Sequence, residues 1–213
     1  MLELLNNLSK TEIRKICLNI RNGLSTKQQE NYTRSIWEKL YSTDEYKSSN
    51  CVLAYASIGS EPSTSELINR ALSDGKRVFC PRICGDNMEF VRIEGISELK
   101  ATGKYNIPEP QRTPDEEVFE ASMSYNSICI VPALSADING TRLGYGKGFY
   151  DRYFSELIRK ENVEIDKIFL VCGIFSSLVT KCLPKFDHDI SADMIITEEE
   201  VYKPRNYSER FFI

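Results

Sequence analysis

Apolar positions along the chain alternate between a helical rhythm and short continuous runs, and the switches mark the elements. Ser9-Lys10-Thr11-Glu12 has the S-x-x-E form of a capping box, and Ile13, Ile16, Cys17, Ile20 and Leu24 follow as a helical stripe ended by Asn22-Gly23. Ser25-x-x-Gln28 repeats the cap ahead of Tyr32, Ile36, Trp37 and Leu40. Cys51–Ser57 is an unbroken apolar run and reads as a buried strand. Ser63-x-x-Glu66 predicts a third capped helix, with Leu67, Ile68, Ala71 and Leu72 inward and Gly75 as its stop. Arg77–Arg82 and Met88–Ile93 read as strands joined through Gly85-Asp86-Asn87, a hairpin signal. Residues 94–125 are polar, carry Pro108, Pro110 and Pro114, and read mainly as loop. Then come a buried strand over Ser127–Leu134, a glycine-rich loop, a helix over Phe149–Glu161, and strands over Lys167–Gly173 and Ala192–Thr197.

Strands that alternate with helices predict an α/β fold with a mostly parallel sheet. Ligands in such folds bind beyond the carboxyl ends of the strands. Three segments fall there: Gly59–Ser63, Asp137–Gly148, and the stretch from Gly173 to Asp189.

Composition narrows the class. The 213 residues are 41% apolar and 27% charged, which excludes a disordered or fibrous chain. The length is about that of one to one and a half domains, and a single domain over residues 1–213 is the expectation. The longest apolar stretches, Ile128–Ala136 and Ile168–Phe175, are about half of what a bilayer requires, and Glu3 stands where a signal peptide carries a basic region. A cytoplasmic chain with no membrane partner, most simply a monomer, is expected. A net charge of −4 offers no global footprint for nucleic acid. Seven scattered cysteines suit a reducing compartment rather than a disulfide framework. The lone His188 leaves no room for multi-histidine metal sites and only one candidate for imidazole catalysis.

The densest chemistry lies in Gly140-Thr-Arg142-Leu-Gly144-Tyr-Gly146-Lys147-Gly148-Phe-Tyr-Asp151, between a strand and a helix. Glycines let backbone N–H groups converge, and with a helix N-terminus they form an anion nest. Arg142 and Lys147 add positive charge to it. Thr141 and Gly148 break the Walker A pattern, and Phe149 breaks the dinucleotide fingerprint. A tight solvated turn is the alternative. Lys10 and Arg14 share one helical face, and Lys10 sits in a first turn where the dipole opposes a cation by about 0.3–1 kcal/mol. They are either a solvated face or a second grip on an anion. Asp151 and Asp189 are hard oxygen donors of the kind Mg²⁺ takes alongside phosphate, although Asp151 also suits an ordinary first helical turn. Asp137 with Asn139-Gly140 reads as turn chemistry. Glu61 is either a loop acid or an acceptor for the N–H edge of a heterocycle, and Tyr105, Tyr145, Phe149 and Tyr150 are candidates for stacking or packing.

Taken together, residues 9–197 resemble the 5-formyltetrahydrofolate cyclo-ligase family. The block NGTRLGYGKGFYDRYF at 139–154 carries most of the likeness, supported in order by KTEIR at 10–14, SEPSTSELI at 60–68, GKRVFCPR at 75–82 and NIPEP at 106–110. The resemblance implies a three-layer α/β/α sandwich similar to the ribose-phosphate isomerase and CoA-transferase group. It implies an ATP- and Mg²⁺-dependent ligase that cyclises 5-formyltetrahydrofolate to 5,10-methenyltetrahydrofolate, with folate and ATP as small-molecule partners. By position, Lys10, Arg14 and the run Arg142, Leu143, Gly144, Tyr145, Gly146, Lys147, Gly148, Phe149 and Tyr150 would hold ATP. Ala56, Glu61 and Tyr145 to Phe149 would line the folate site, and Asp151 and Asp189 would attend the metal. Lys147 and Arg142 would be the catalytic cations. Phe149 stands where the family often has Tyr, Tyr105 where some members have Trp, and Ala133 and Ala136 also depart from the common pattern. A folate or nucleotide sensor and a sugar-phosphate isomerase are the rival functions, and ATP consumption separates them.

Overall fold

The structure, a computed structural model, describes residues 8–101, 106–120, 126–161 and 168–204. Tyr105 lies outside the described residues. Both capping boxes form. Ser9 opens α1 (Lys10–Asn22) and Ser25 opens α2 (Thr26–Ser42), each exchanging hydrogen bonds with its N3 residue. Such a cap is worth about 1 kcal/mol. A short α3 (Asp44–Ser48), not anticipated, follows and leads into β1 (Cys51–Ala54).

The third predicted helix exists as α4 (Ser65–Ser73), but Ser63 does not cap it. Thr64 is its N-cap, and the Thr64 hydroxyl serves the loop instead: it donates to the Tyr55 carbonyl at 2.6 Å and accepts from Ser57 N–H. The hairpin is present as β2 (Arg77–Cys84) and β3 (Asn87–Ile93), paired antiparallel. The region read as loop contains a 3₁₀ turn at Ile96–Glu98 and the paired fragments β4 (Leu99–Lys100) and β5 (Glu109–Pro110). Charge holds this region to the hairpin. Arg82, 5% exposed, bonds Glu89 and Glu116, and that guanidinium holds the Glu116 carboxyl down to about 2.

The remaining elements are β6 (Ser127–Ile130), β7 (Ser135–Asp137), β8 (Arg142–Leu143), α5 (Phe149–Glu161), β9 (Ile168–Gly173), β10 (Val179–Thr180), β11 (Met194–Ile196) and β12 (Val201–Tyr202). Among the described residues the main sheet has seven strands in the order β12-β11-β9-β6-β1-β2-β3. Its interior pairings are parallel, and antiparallel strands close both edges. All four residues of β1 and of β6 are buried, although consecutive residues face opposite sides. Both faces are therefore covered, the three-layer α/β arrangement expected of a parallel sheet. Trp37 of α2, 1% exposed, anchors one helix and donates its indole N–H to the Ser63 carbonyl at 2.7 Å.

The chain lays down β1, moves outward to β2 and β3, then returns to place β6 on the other side of β1. The direction of winding reverses between β1 and β6, and a crevice opens at such a switch point beyond the carboxyl ends of the strands.

Candidate functional site

A cavity of about 710 Å³ occupies that position. Sites for small ligands commonly span roughly 300–1,000 Å³. Tyr55 and Ala56 follow β1 into its wall, Pro132 follows β6, and Pro81, Ile83 and Met88 come from the hairpin. Apart from Tyr105, which lies outside the described residues, the residues expected at a site line this one cavity. They are Lys10, Arg14, Ala56, Glu61, the run from Arg142 to Tyr150, Asp151 and Asp189.

The glycine loop is built on Asp137. This residue is 1% exposed, and its carboxylate accepts N–H bonds from Asn139, Thr141 and Leu183 at 2.9 Å each. That is the turn role its sequence context predicted. A small sheet of β10-β7-β8, invisible in the sequence because its strands are two or three residues long, then aims Arg142 and Leu143 at the cavity. Arg142 is buried, donates to Asp151 Oδ1 at 2.7 Å, and keeps its Nε buried with no partner among the described residues. Asp151 also accepts from Ile190 N–H.

Helix α1 faces the loop with one stripe. Lys10 Nζ contacts Asp189 Oδ2 at 2.5 Å and lies 3.9 Å from the centroid of the Phe186 ring. This pairing offsets the cost of a cation in a first helical turn. Burial pushes the Asp189 carboxyl up, but the hydrogen bonds from Lys10 and Phe186 N–H and the Lys10 charge outweigh it, and its pKa lies below the ordinary carboxylate value. Arg14 Nε donates to the Gly144 carbonyl at 2.8 Å. Because this stripe faces the site, the apolar stripe is narrower than its spacing suggested. Ile13 and Cys17 are fully buried, while Ile16 is 37% exposed.

Two groups went unnoticed in the sequence. Arg21, on the last turn of α1, is 3% exposed and donates to the Tyr145 hydroxyl at 2.7 Å and to Ser60 Oγ at 3.0 Å. The signal was its position seven residues after Arg14, two helical turns along the same face. Tyr145 in turn donates to Glu61 Oε1 at 2.5 Å, and Ile58 N–H donates to Glu61 Oε2 at 2.8 Å. Burial pushes the Glu61 carboxyl above the ordinary value, against the pull of Tyr145, Ile58 N–H and Arg21. Glu109 is the second unnoticed group. It lines the cavity beside Ile107, and burial raises its pKa against an N–H bond from Ile83 and the charge of Arg82.

The arrangement defines a class: an α/β protein whose glycine loop and convergent cations line one crevice, with carboxylates and apolar groups in the same wall. The model of the 5-formyltetrahydrofolate cyclo-ligase family matches residues 6–198, and the chain belongs to that family of ligases in folate one-carbon metabolism. It is 25% identical over 183 residues to the 5-formyltetrahydrofolate cyclo-ligase of Mus musculus, covering 83% of this chain and 87% of that one. It is likewise 25% identical to the cyclo-ligase of Escherichia coli K12 over 186 residues, covering 86% and 97%. Among solved structures, the 5,10-methenyltetrahydrofolate synthetase of Aquifex aeolicus superposes with a TM-score of 0.76 at 28% identity, covering 93% of this chain and 94% of that one. Among the described residues no helix is long and apolar enough to cross a membrane.

Proposed function

We propose that the cavity brings ATP and 5-formyltetrahydrofolate together and that the chain converts them to 5,10-methenyltetrahydrofolate, ADP and phosphate through a phosphorylated formyl oxygen. One observation carries this reading. Cations from α1, far away in sequence, meet the glycine loop in a single cavity that also holds Glu61 and an apolar wall. Lys10, Arg14 and the Arg142–Tyr150 run would hold the triphosphate, and Ala56, Glu61 and residues Tyr145 to Phe149 would hold the folate. Tyr145 is 41% exposed although its hydroxyl is engaged, and it lines the cavity, so it is available to a planar ligand.

The donor set fits Mg²⁺. Asp151 meets its cation through Oδ1 and Asp189 meets Lys10 through Oδ2, so each has a second oxygen to offer. Such an ion takes one or two carboxylates and completes its shell with phosphate and water. Bound there, Mg²⁺ would neutralise charge on the phosphates.

The chemistry asks for position and charge more than for proton transfer. The formyl oxygen is a carbonyl with no proton to lose, so it can attack the terminal phosphorus without a base. Arg142 and Lys147 would stabilise the charge spread over the transferring group. N10 then attacks the activated carbon and loses its proton, and the C–O bond breaks to release phosphate.

The purified chain mixed with 5-formyltetrahydrofolate, ATP and Mg²⁺ should develop the near-ultraviolet absorbance of the methenyl product. Folded protein that gives no change, or the same change without ATP, sinks the reading. Gly146 supplies a narrower check. It sits at φ +90°, and a Cβ there would lie 3.1 Å from Arg14 Cζ. Gly146→Ala should displace Arg14 and raise the KM for ATP about tenfold, or ~1.4 kcal/mol, in initial-rate measurements.

A further inference from the structure

Arg21 does not line the cavity, yet its guanidinium is buried at the end of a chain of hydrogen bonds that does. Arginine only donates, so the Tyr145 oxygen must accept from Arg21 Nη2 at 2.7 Å. The hydroxyl proton of Tyr145 then points to Glu61 Oε1, 2.5 Å away. The second Glu61 oxygen takes the Ile58 N–H. Arg21 is itself fixed through Ser60 Oγ, which donates to Asn22 Oδ1 at 2.5 Å. The loop after β1 and the glycine loop after β6 are thereby tied to one cation on α1.

We propose that Arg21 is a positioning residue: it orients the Tyr145 hydroxyl onto Glu61 and so fixes the Glu61 carboxylate as the acceptor for N–H donors of a bound heterocycle. The proposal rests on the folate reading of the cavity and names a residue that acts through two others. The groups that face Glu61 make the charge assignment. They are Arg21 from α1, Tyr145 from the glycine loop, Ile58 N–H from its own loop, Tyr55 at the end of β1 and Tyr150 of α5. Burial keeps the phenols of Tyr55 and Tyr150 neutral. Arg21 is thus the cation of the set. Glu61 is buried, so without that charge its ionised form is harder to keep.

The sign follows. Folate binding that needs the carboxylate is strong at high pH and fades as Glu61 protonates. Loss of Arg21 raises the carboxyl pKa and moves this acid limb to higher pH.

The test pairs Arg21→Gln, which keeps a donor and removes the charge, with Arg21→Lys, which keeps the charge. Calorimetry measures 5-formyltetrahydrofolate binding without ATP from pH 5 to 9, and ATP binding at one pH. Thermal melting checks that each variant is folded. We expect Arg21→Gln to weaken folate binding about tenfold at neutral pH, with the acid limb shifted up by about one unit. ATP affinity should stay within twofold, and Arg21→Lys should restore most of the limb. An unmoved limb, or parallel losses for folate and ATP, overturns the proposal, because a merely structural arginine would loosen α1 and the Arg14 contact as well. If Arg21→Gln is unfolded, Tyr145→Phe decides: it removes the hydroxyl through which Arg21 acts, so the acid limb should move to higher pH, and an unmoved limb overturns the proposal. Wild-type protein that binds folate but forms no methenyl product would refute the ligase reading and leave the Arg21 result standing. Wild-type protein that binds no folate overturns both.

Discussion

Lys147→Ala should lower turnover about 10³-fold, equivalent to ~4 kcal/mol of transition-state stabilisation, while the melting temperature stays near that of the parent. Lys147 is an exposed residue of the glycine loop that lines the cavity, outside the apolar core. Its removal empties no packed space and breaks no strand pairing. Arg142, by contrast, is buried against Asp151, and its loss would strand a carboxylate as well as remove a cation. Lys147 is therefore a position where charge can be removed from the site without emptying the apolar core. Initial rates at saturating ATP and folate, with a thermal melt beside them, make the measurement. A rate within tenfold of the parent would take this lysine out of the phosphoryl-transfer step. A melting temperature many degrees lower would make any rate loss a folding effect.

Gly140→Ala should be the most damaging single methyl in the chain among those in the glycine loop. Gly140 has φ +90°, and a Cβ there would lie 2.4 Å from the Ala192 carbonyl oxygen, a contact real structures do not make. The two backbones are also joined by an Ala192 N–H bond to the Gly140 carbonyl at 2.8 Å. Strained backbone plus forced separation corresponds to about 3 kcal/mol, or roughly 6–12 °C of melting temperature for a chain this size. The segment that must yield leads from Asp189 into β11. It carries the partner of Lys10 and the Ile190 N–H that holds Asp151. Activity should fall together with stability. A variant that melts within 2 °C of the parent would show that the Ala192 backbone is free to move.

Local signals in the sequence were reliable where one turn of chain decides the outcome. Ser9 and Ser25 cap their helices because both partners of each box lie three residues apart. Ser63 has the same spacing and fails, because the hydroxyl that matters, Thr64, is drawn to the Tyr55 carbonyl across the loop. Ile16 fails likewise: periodicity marks it as inward, but among the described residues that edge of α1 stays 37% exposed. The fragments β7, β8 and β10 are too short to show any alternation and exist through pairing with one another.

The site divides along the same line. The glycine-rich run and its cations were legible because backbone freedom and charge are properties of the residues themselves. The pairing of Asp151 with Arg142 and of Asp189 with Lys10 was not, since the second pair spans 179 residues. Nor was Arg21, whose partner lies 124 residues away.

By itself the sequence determined the α/β rhythm, the two capped opening helices, the glycine-rich cationic loop and the family likeness, because each rests on residue type at short spacing. Tertiary structure alone decided that α1 crosses to the glycine loop, that winding reverses between β1 and β6 to open the crevice, and that a buried arginine stands behind Glu61. Those outcomes depend on which surfaces must be buried together, and burial is settled by the folded chain as a whole rather than by neighbours in sequence.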